Sequence, residues 1–205
     1  LFGINEEGKT CSIIARDFTP FFYIKVPYNW GIETKTAFVD HLKEVVGEYY
    51  EKSIVDAKLI KRKKLYGFDG NRDHKFVVIK LKNMQIYYKL RNLWYSQQYK
   101  GKKRDKKLIK YTYTGDALEL YEANIPPLLR FFHIREISPS GWVTIPNKYK
   151  ITSEALKTTH CDYEYDLNYK NIVPMNDKET SVPYKICSFD IEASSSHGDF
   201  PLPKK

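Results

Sequence analysis

The segment Phe18–Pro27, FTPFFYIKVP, precedes Glu33–Lys52, ETKTAFVDHLKEVVGEYYEK, and together they indicate a strand that leads into a helix. The first segment is a run of aromatic and β-branched residues between two prolines, which is typical of a strand. In the second segment apolar residues recur at helical spacing, which predicts one amphipathic helix over its whole length. The residues of this predicted apolar face are Phe38, Leu42, Val45, Val46 and Tyr49.

The next segments repeat this alternation. Ser53–Gly70 and His74–Asn83 read as two strands joined by a glycine-containing turn, and Asn83–Gln98 reads as a second helix that ends in a basic loop near Gly101. Ala117–Ile125 is a candidate last strand. The sequence therefore predicts an α+β fold, rich in β-structure, with a ferredoxin-like βαββαβ module at about residues 21–124, an arrangement shared with one common RNA-binding module.

The flanking residues 1–20 and 125–181 predict several more short strands. Leu1–Asp17 reads as two strands around a polar turn, and Ile125–Ile137 reads as a short helix that starts with proline. We expect these flanks to form a small β-barrel or a sheet around the central module.

Composition limits the class of protein. The chain has 205 residues, of which 42% are hydrophobic, and this is enough for a packed core. It has no apolar run long enough to span a membrane and no secretory leader, so we expect a soluble, intracellular protein with no membrane partner. Because the chain begins with Leu1 rather than methionine, we expect a piece of a longer protein.

The cysteines predict no covalent or metal framework. Cys11, Cys161 and Cys187 lie far apart and lack the spacing of a zinc site, so we expect reduced, structural thiols. His160 beside Cys161 is a single pair without the four converging ligands of a structural metal site.

Positive charge is concentrated in one part of the chain. The net charge is +9, and residues 58–110, the basic block, hold 18 Lys and Arg against three acids. Such a block attracts polyanions, so nucleic acid is the predicted partner, and a solvated surface without a partner is the alternative. The candidate contacts are Lys61, Arg62, Lys63, Lys64, Lys102, Lys103, Arg104, Lys106 and Lys107.

Aromatic residues near these bases are candidates for base stacking. Seventeen tyrosines exceed what one core usually hides, and exposed rings beside lysines commonly hold single strands. The candidates are Tyr23, Tyr66, Phe68 and Phe76, each of which could equally belong to the core. The RNA-reading signature of the common module is absent from HKFVVIKL, so contact with phosphates is favoured over base reading.

One motif is misleading. Gly3–Thr10, GINEEGKT, fits the phosphate-loop pattern, but that loop requires a helix directly after it. Here β-branched residues follow, and two glutamates occupy the place of the phosphates. We therefore predict a hairpin turn and no nucleotide site.

The last motif is a pair of carboxylates in Lys185–Pro201, KICSFDIEASSSHGDFP. In a strand Asp190 and Glu192 would project to one side while Phe189 and Ile191 become buried on the other. Paired carboxylates suit Mg²⁺ or Mn²⁺, as in the two-metal sites of nucleases. A solvated acidic face is the alternative.

The carboxylate motif and several upstream stretches resemble those of a known family. SFDIEA followed by DFP resembles the first exonuclease motif of family B DNA polymerases, in which the Asp and Glu of Phe-Asp-x-Glu bind two catalytic metals. LFGINEEGKTCSIIARDFTPFFYIKVP, LYGFDG and YEANIPPLLRFFHIREISPSGWVTI resemble the N-terminal domain of delta-like members in the same order. The resemblance runs over most of the chain, although only Phe-Asp-x-Glu is chemically diagnostic.

The resemblance implies two domains. Residues 1–181 would be the polymerase N-terminal domain, and residues 182–205 would start a 3′→5′ exonuclease domain with the first strand of its RNase H-like fold. Asp190 and Glu192 would be catalytic ligands of Mg²⁺ or Mn²⁺. The later family motifs, Asn-x-x-x-Phe-Asp, Tyr-x-x-x-Asp and Asp-Thr-Asp, are not in this sequence, so we expect this piece alone to be inactive.

The implied parent is a replicative DNA-directed DNA polymerase with a proofreading exonuclease, working in the nucleus or at a viral replication site. Its partners would be single-stranded template, primer-template DNA and replication accessory proteins. A stand-alone nucleic-acid-binding module and a protein-interaction scaffold remain the alternatives.

Overall fold

The computed structural model describes residues 1–64, 67–100, 103–180, 182, 186–191 and 198. The helices are α1 Ile32–Val46, α2 Glu48–Glu51, α3 Met84–Arg91 and α4 Pro127–Arg135. The strands are β1 Phe2–Ile4, β2 Thr10–Arg16, β3 Phe21–Val26, β4 Ile54–Lys63, β5 Asp73–Leu81, β6 Tyr95–Lys100, β7 Lys103–Leu108, β8 Tyr111–Tyr113, β9 Asp116–Tyr121, β10 Trp142–Thr144, β11 Tyr163–Asn168 and β12 Val173–Met175.

The largest sheet has the strand order β4–β5–β3–β9–β8, and every neighbouring pair is antiparallel. Apolar residues on one face of it, such as Ile24 and Val77, pack with α1 and α3 into the main core. From β3 to β9 the main elements follow the order strand, two helices, two strands, helix and four strands. The elements β6, β7 and β8, which sequence did not resolve, lie between α3 and β9.

The first predicted helix is interrupted. α1 ends at Val46, and Gly47 has a φ of 87° before the short helix α2 begins. This backbone conformation suits glycine, which has no Cβ. Tyr49, which the helical spacing placed on the buried face, is 84% exposed, because the break at Gly47 takes it off the axis of α1. The prediction for Val45 is also wrong, since Val45 is 41% exposed while Val39 is buried in its place.

The second helix begins as predicted and ends earlier. The Asn83 side chain accepts hydrogen bonds from the amides of Gln85 and Ile86, at 3.1 and 3.2 Å, which caps α3. After a short turn the chain enters β6, which pairs with β7 over Tyr95–Lys100 and Lys103–Leu108. The predicted basic loop near Gly101 lies outside the described residues, while the described residues on either side of it pair as strands.

The flanking segments form a second, smaller core. β2 pairs antiparallel with β1 and parallel with β11, and β10 pairs with β12. Phe131 of α4 packs here with Ile137, Leu167 and Ile172. The sequence left open whether these segments form a barrel or a sheet. Their described strands form one three-stranded and one two-stranded sheet.

The N-terminal hairpin confirms that the phosphate-loop pattern is a turn. Asn5 Oδ1 accepts hydrogen bonds from the amides of Glu7 and Lys9, at 3.1 and 2.8 Å. Thr10 then starts β2, so no helix N-terminus follows the pattern.

Two polar contacts fix the smaller core. Glu164 on β11 is 1% exposed, and its Oε2 accepts hydrogen bonds from the amides of Thr158 and Thr159, at 3.1 and 2.9 Å. Arg130 on α4 donates to Glu122 Oε2 at 2.7 Å and to the Glu122 carbonyl at 2.8 Å, and it lies 4.4 Å from the ring centroid of Phe21 on β3. Arg130 thus ties α4 to the main sheet.

No helix in the described part of the chain has both the length and the apolar character needed to cross a bilayer.

Candidate nucleic-acid interface and carboxylate segment

The first run of candidate bases lies at the end of β4, the outermost strand of the main sheet. Lys61, Arg62 and Lys63 are exposed, and none of them forms an ion pair with a described residue. The Lys61 ammonium lies 5.3 Å from the ring centroid of Tyr28, and that of Lys75 lies 5.1 Å from the same ring. Three cationic groups at the end of an edge strand leave positive charge free for an anionic partner.

Lys64 differs from its neighbours. Its ammonium lies 3.6 Å from Asp69 Oδ2, and the same oxygen lies 2.5 Å from His74 Nε2. The hydrogen bond from His74 is the main cause that lowers the pKa of the Asp69 carboxyl, and Lys64 adds to it. Lys64 therefore helps to hold the turn between β4 and β5, and its role in nucleic-acid contact stays a prediction.

The second run of bases lies on the β6–β7 hairpin. Lys103 and Arg104 are part of β7, and Lys106 and Lys107 in the same strand have exposed side chains. The Lys106 ammonium reaches Asn92 Oδ1 at 3.5 Å, which places it near the end of α3. Lys102 lies outside the described residues. The two runs are thus on separate hairpins.

The predicted stacking residues have different environments. Phe76 is buried, and its ring packs edge-on against Tyr23 and Tyr121, at centroid distances of 6.2 and 5.3 Å. It belongs to the packed sheet and offers no free face. Phe68 is fully exposed in the turn between β4 and β5, whereas Tyr66 lies outside the described residues. Tyr23 is half-buried beneath Arg130, at 5.7 Å.

Sequence reasoning missed one cluster of aromatic and cationic residues. The Arg91 guanidinium lies 5.0 Å from the ring centroid of Tyr88 and 5.5 Å from that of Tyr95. Arg91 Nη1 and the Tyr95 hydroxyl both donate to Asn124 Oδ1, at 3.4 and 3.3 Å. The spacing of Tyr88 and Arg91 by three residues on a predicted helix could have indicated that their side chains lie together. Asn124, which lies far along the chain, left no such signal.

The carboxylate segment is not a strand in the described residues. Phe189 and Ile191 are 79% and 76% exposed, so the expectation that they would be buried beneath a strand is wrong here. A strand needs a neighbour to pair with, and none of the described strands pairs with residues 186–191. Asp190 Oδ1 accepts a hydrogen bond from the next amide at 2.8 Å. Glu192 lies outside the described residues, so its position relative to Asp190 stays a prediction.

The described residues do not by themselves fit a divalent metal centre. Among them, no three side chains of His, Cys, Asp or Glu come together as ligands. Asp190 supplies one exposed carboxylate, whereas Mg²⁺ demands an octahedral set of oxygens. Cys11, Cys161 and Cys187 are free thiols.

Comparison with known proteins finds matches to DNA polymerases. Residues 118–205 match the family described as DNA polymerase family B, exonuclease domain. The whole chain is 51% identical to a DNA polymerase of Phaeocystis pouchetii virus and covers 20% of that protein. It is 31% identical to a DNA polymerase of Pyramimonas orientalis virus, covering 16% of it. Over 99% of its length it is 27% identical to the DNA polymerase delta catalytic subunit of Schizosaccharomyces pombe, covering 18% of it. The chain thus spans about a fifth or less of the length of these relatives.

Proposed function

We propose that this chain belongs to the family B DNA polymerases and that it is the N-terminal part of a replicative DNA-directed DNA polymerase with a 3′→5′ proofreading exonuclease. The observation that carries the proposal is the match of the entire chain to viral DNA polymerases and to a delta catalytic subunit. By this proposal the parent protein acts on DNA, with accessory proteins as further partners. It works inside the cell, in the nucleus or at a viral replication site.

The proposed division places the polymerase N-terminal domain at residues 1–181 and the start of the exonuclease domain at residues 182–205. Within the first, residues 21–124 form a ferredoxin-like module. The strand order β4–β5–β3–β9 with α1 and α3 on one face supports this assignment. The separate core around Phe131 supports a distinct flanking part.

The proposed role of this chain is to hold single-stranded template through its phosphates. Three cations at the end of β4 and four more on β7 are the groups that would neutralise phosphates. Because contacts of this kind do not read sequence, the chain would hold template of any sequence. The chain alone would be catalytically inactive.

Asp190 and Glu192 are the proposed ligands for Mg²⁺ or Mn²⁺ in the exonuclease of the parent protein. Since the described residues do not complete a metal centre, other parts of the parent protein would supply the remaining ligands. The family match across residues 118–205 supports the placement of an exonuclease segment here.

Salt-dependent binding to single-stranded DNA tests the proposed role of the chain. If four phosphates are neutralised, log K should fall with log salt with a slope of about −3. Replacing Lys102, Lys103, Arg104, Lys106 and Lys107 together with glutamine should flatten this slope. The same replacement of Lys25 and Lys35 should flatten it less, since Lys25 lies 3.8 Å from the Glu119 carboxylate and both lie outside the basic runs. A slope near zero for the unaltered chain, or equal effects of the two sets, would contradict the proposal.

A further inference from the structure

The cluster around Arg91 has the composition of a small binding site. It brings together the end of α3, the start of β6 and the segment after β9, through Arg91, Tyr95 and Asn124. The Tyr88 ring beside it is 48% exposed, so much of its surface is open to solvent. A cleft of about 110 Å³ between Tyr95, Leu108 and Asn124 borders the cluster.

No described carboxylate neutralises the charge of Arg91, whereas Arg16 and Arg130 each have an aspartate or glutamate at 2.7 Å. Its Nε is buried and has no hydrogen-bond acceptor among the described residues. Arg135 has the other such Nε, but no ring flanks its guanidinium in the described residues. What distinguishes Arg91 is a guanidinium that two tyrosine rings flank and that no described carboxylate pairs, so it can bind an anionic group.

A second cation contacts the residue that follows Arg91. The Lys106 ammonium reaches the side chain of Asn92, the residue that follows Arg91. Lys107 is exposed in the same strand. Glu122, the carboxylate in the wall of the cleft, is already held by Arg130. The local field is therefore positive, and it lies beside an exposed tyrosine ring.

We propose that Tyr88, Arg91, Tyr95, Asn124 and Lys106 form a subsite for one nucleotide of a single-stranded nucleic acid. The phosphate binds between Arg91 and Lys106, and the base stacks on the exposed part of the Tyr88 ring. Tyr95 and Asn124 hold the guanidinium in place. This subsite rests on the proposed function, namely that the chain holds single-stranded template. It assigns one of the template contacts to the end of α3 and the start of β6.

Binding of labelled oligothymidylate and oligouridylate of equal length, followed by fluorescence anisotropy at several salt concentrations, tests the subsite. Tyr88→Leu removes a stacking surface at an exposed position and should weaken binding about tenfold. Arg91→Gln should reduce the salt slope by about 0.7, because it removes one phosphate contact. Arg91→Lys keeps the charge and should keep the slope. Both oligonucleotides should bind alike, because stacking and phosphate contacts do not read the sugar.

Lys89→Gln is the matched control. Lys89 lies on the same helix and has its ammonium 4.6 Å from the ring centroid of Tyr50, away from the cluster, so its replacement should change neither affinity nor slope. If Tyr88→Leu and Arg91→Gln behave like Lys89→Gln while the unaltered chain binds, the subsite is refuted and the proposed function stands. A more than tenfold preference for one oligonucleotide would also overturn it. If the unaltered chain binds neither, the proposed function itself fails.

Discussion

Replacing Arg130 should reveal how strongly the two cores are joined. Arg130 is 7% exposed and donates two hydrogen bonds to Glu122, one to its carboxylate and one to its carbonyl, while it also covers the Phe21 ring. Hydrogen bonds to charged groups contribute about 1.5–3 kcal/mol each, and Glu122 is half exposed, which reduces its share. For Arg130→Ala we therefore expect a loss of about 3 kcal/mol in the free energy of unfolding, or about 6–12 °C in Tm.

Urea unfolding with a matched surface variant is the assay. Arg16 pairs with Asp166 at the same 2.7 Å, but both side chains are exposed, so Arg16→Ala should cost much less than Arg130→Ala. Arg130→Lys should recover only part of the loss, because an ammonium cannot reach both Glu122 acceptors with the planar geometry of a guanidinium. Equal losses for Arg130→Ala and Arg16→Ala would refute the view that Arg130 joins α4 to the main sheet.

Two further predictions concern Glu164 and Gly47. Burial by itself would raise the pKa of Glu164, but the hydrogen bonds from Thr159 and Thr158 outweigh it, so the pKa is lowered. The carboxylate therefore stabilises the fold above its unfolded pKa, and this contribution is lost as pH falls through the folded pKa. Glu164→Gln should therefore flatten the acid limb of stability against pH in urea titrations, and an unchanged acid limb would count against this assignment. Gly47→Ala should cost about 1–3 kcal/mol through backbone strain at positive φ. Gly31→Ala, at a φ of −105° and at the N-cap of α1, lacks this strain and should lower Tm less. Equal Tm values for the two variants in thermal unfolding would show that Gly47 is not required.

Local patterns were enough to predict the framework. The strand Phe21–Val26, the helix that follows it and the hairpin of β4 and β5 each have an apolar period that one segment reveals by itself. The Gly47 break is also local, but only its backbone angles distinguish it from a glycine tolerated within a helix. The sequence therefore predicted the helix boundary near this glycine wrongly.

Features that depend on distant partners could not be predicted. The basic residues after α3 form a hairpin because β6 and β7 pair over six residues, and charge alone does not indicate pairing. The Arg91 cluster needs Asn124, which the fold brings from 33 positions away. The carboxylate segment has the alternation of a strand, yet no described strand pairs with it, so its apolar residues stay exposed. In each case tertiary pairing decided what local preference left open.

The proposed identity is tested most directly by the fate of a primer's 3′ end in a protein that contains this chain together with a complete polymerase. Asp190→Ala with Glu192→Ala should abolish 3′→5′ degradation and leave primer extension largely intact, because the two activities would use different segments. Asp177→Ala with Glu179→Ala is the matched control, since it removes the same two residue types at the same spacing and should change neither activity. Normal degradation by the Asp190 and Glu192 variant would contradict the assignment of this carboxylate pair.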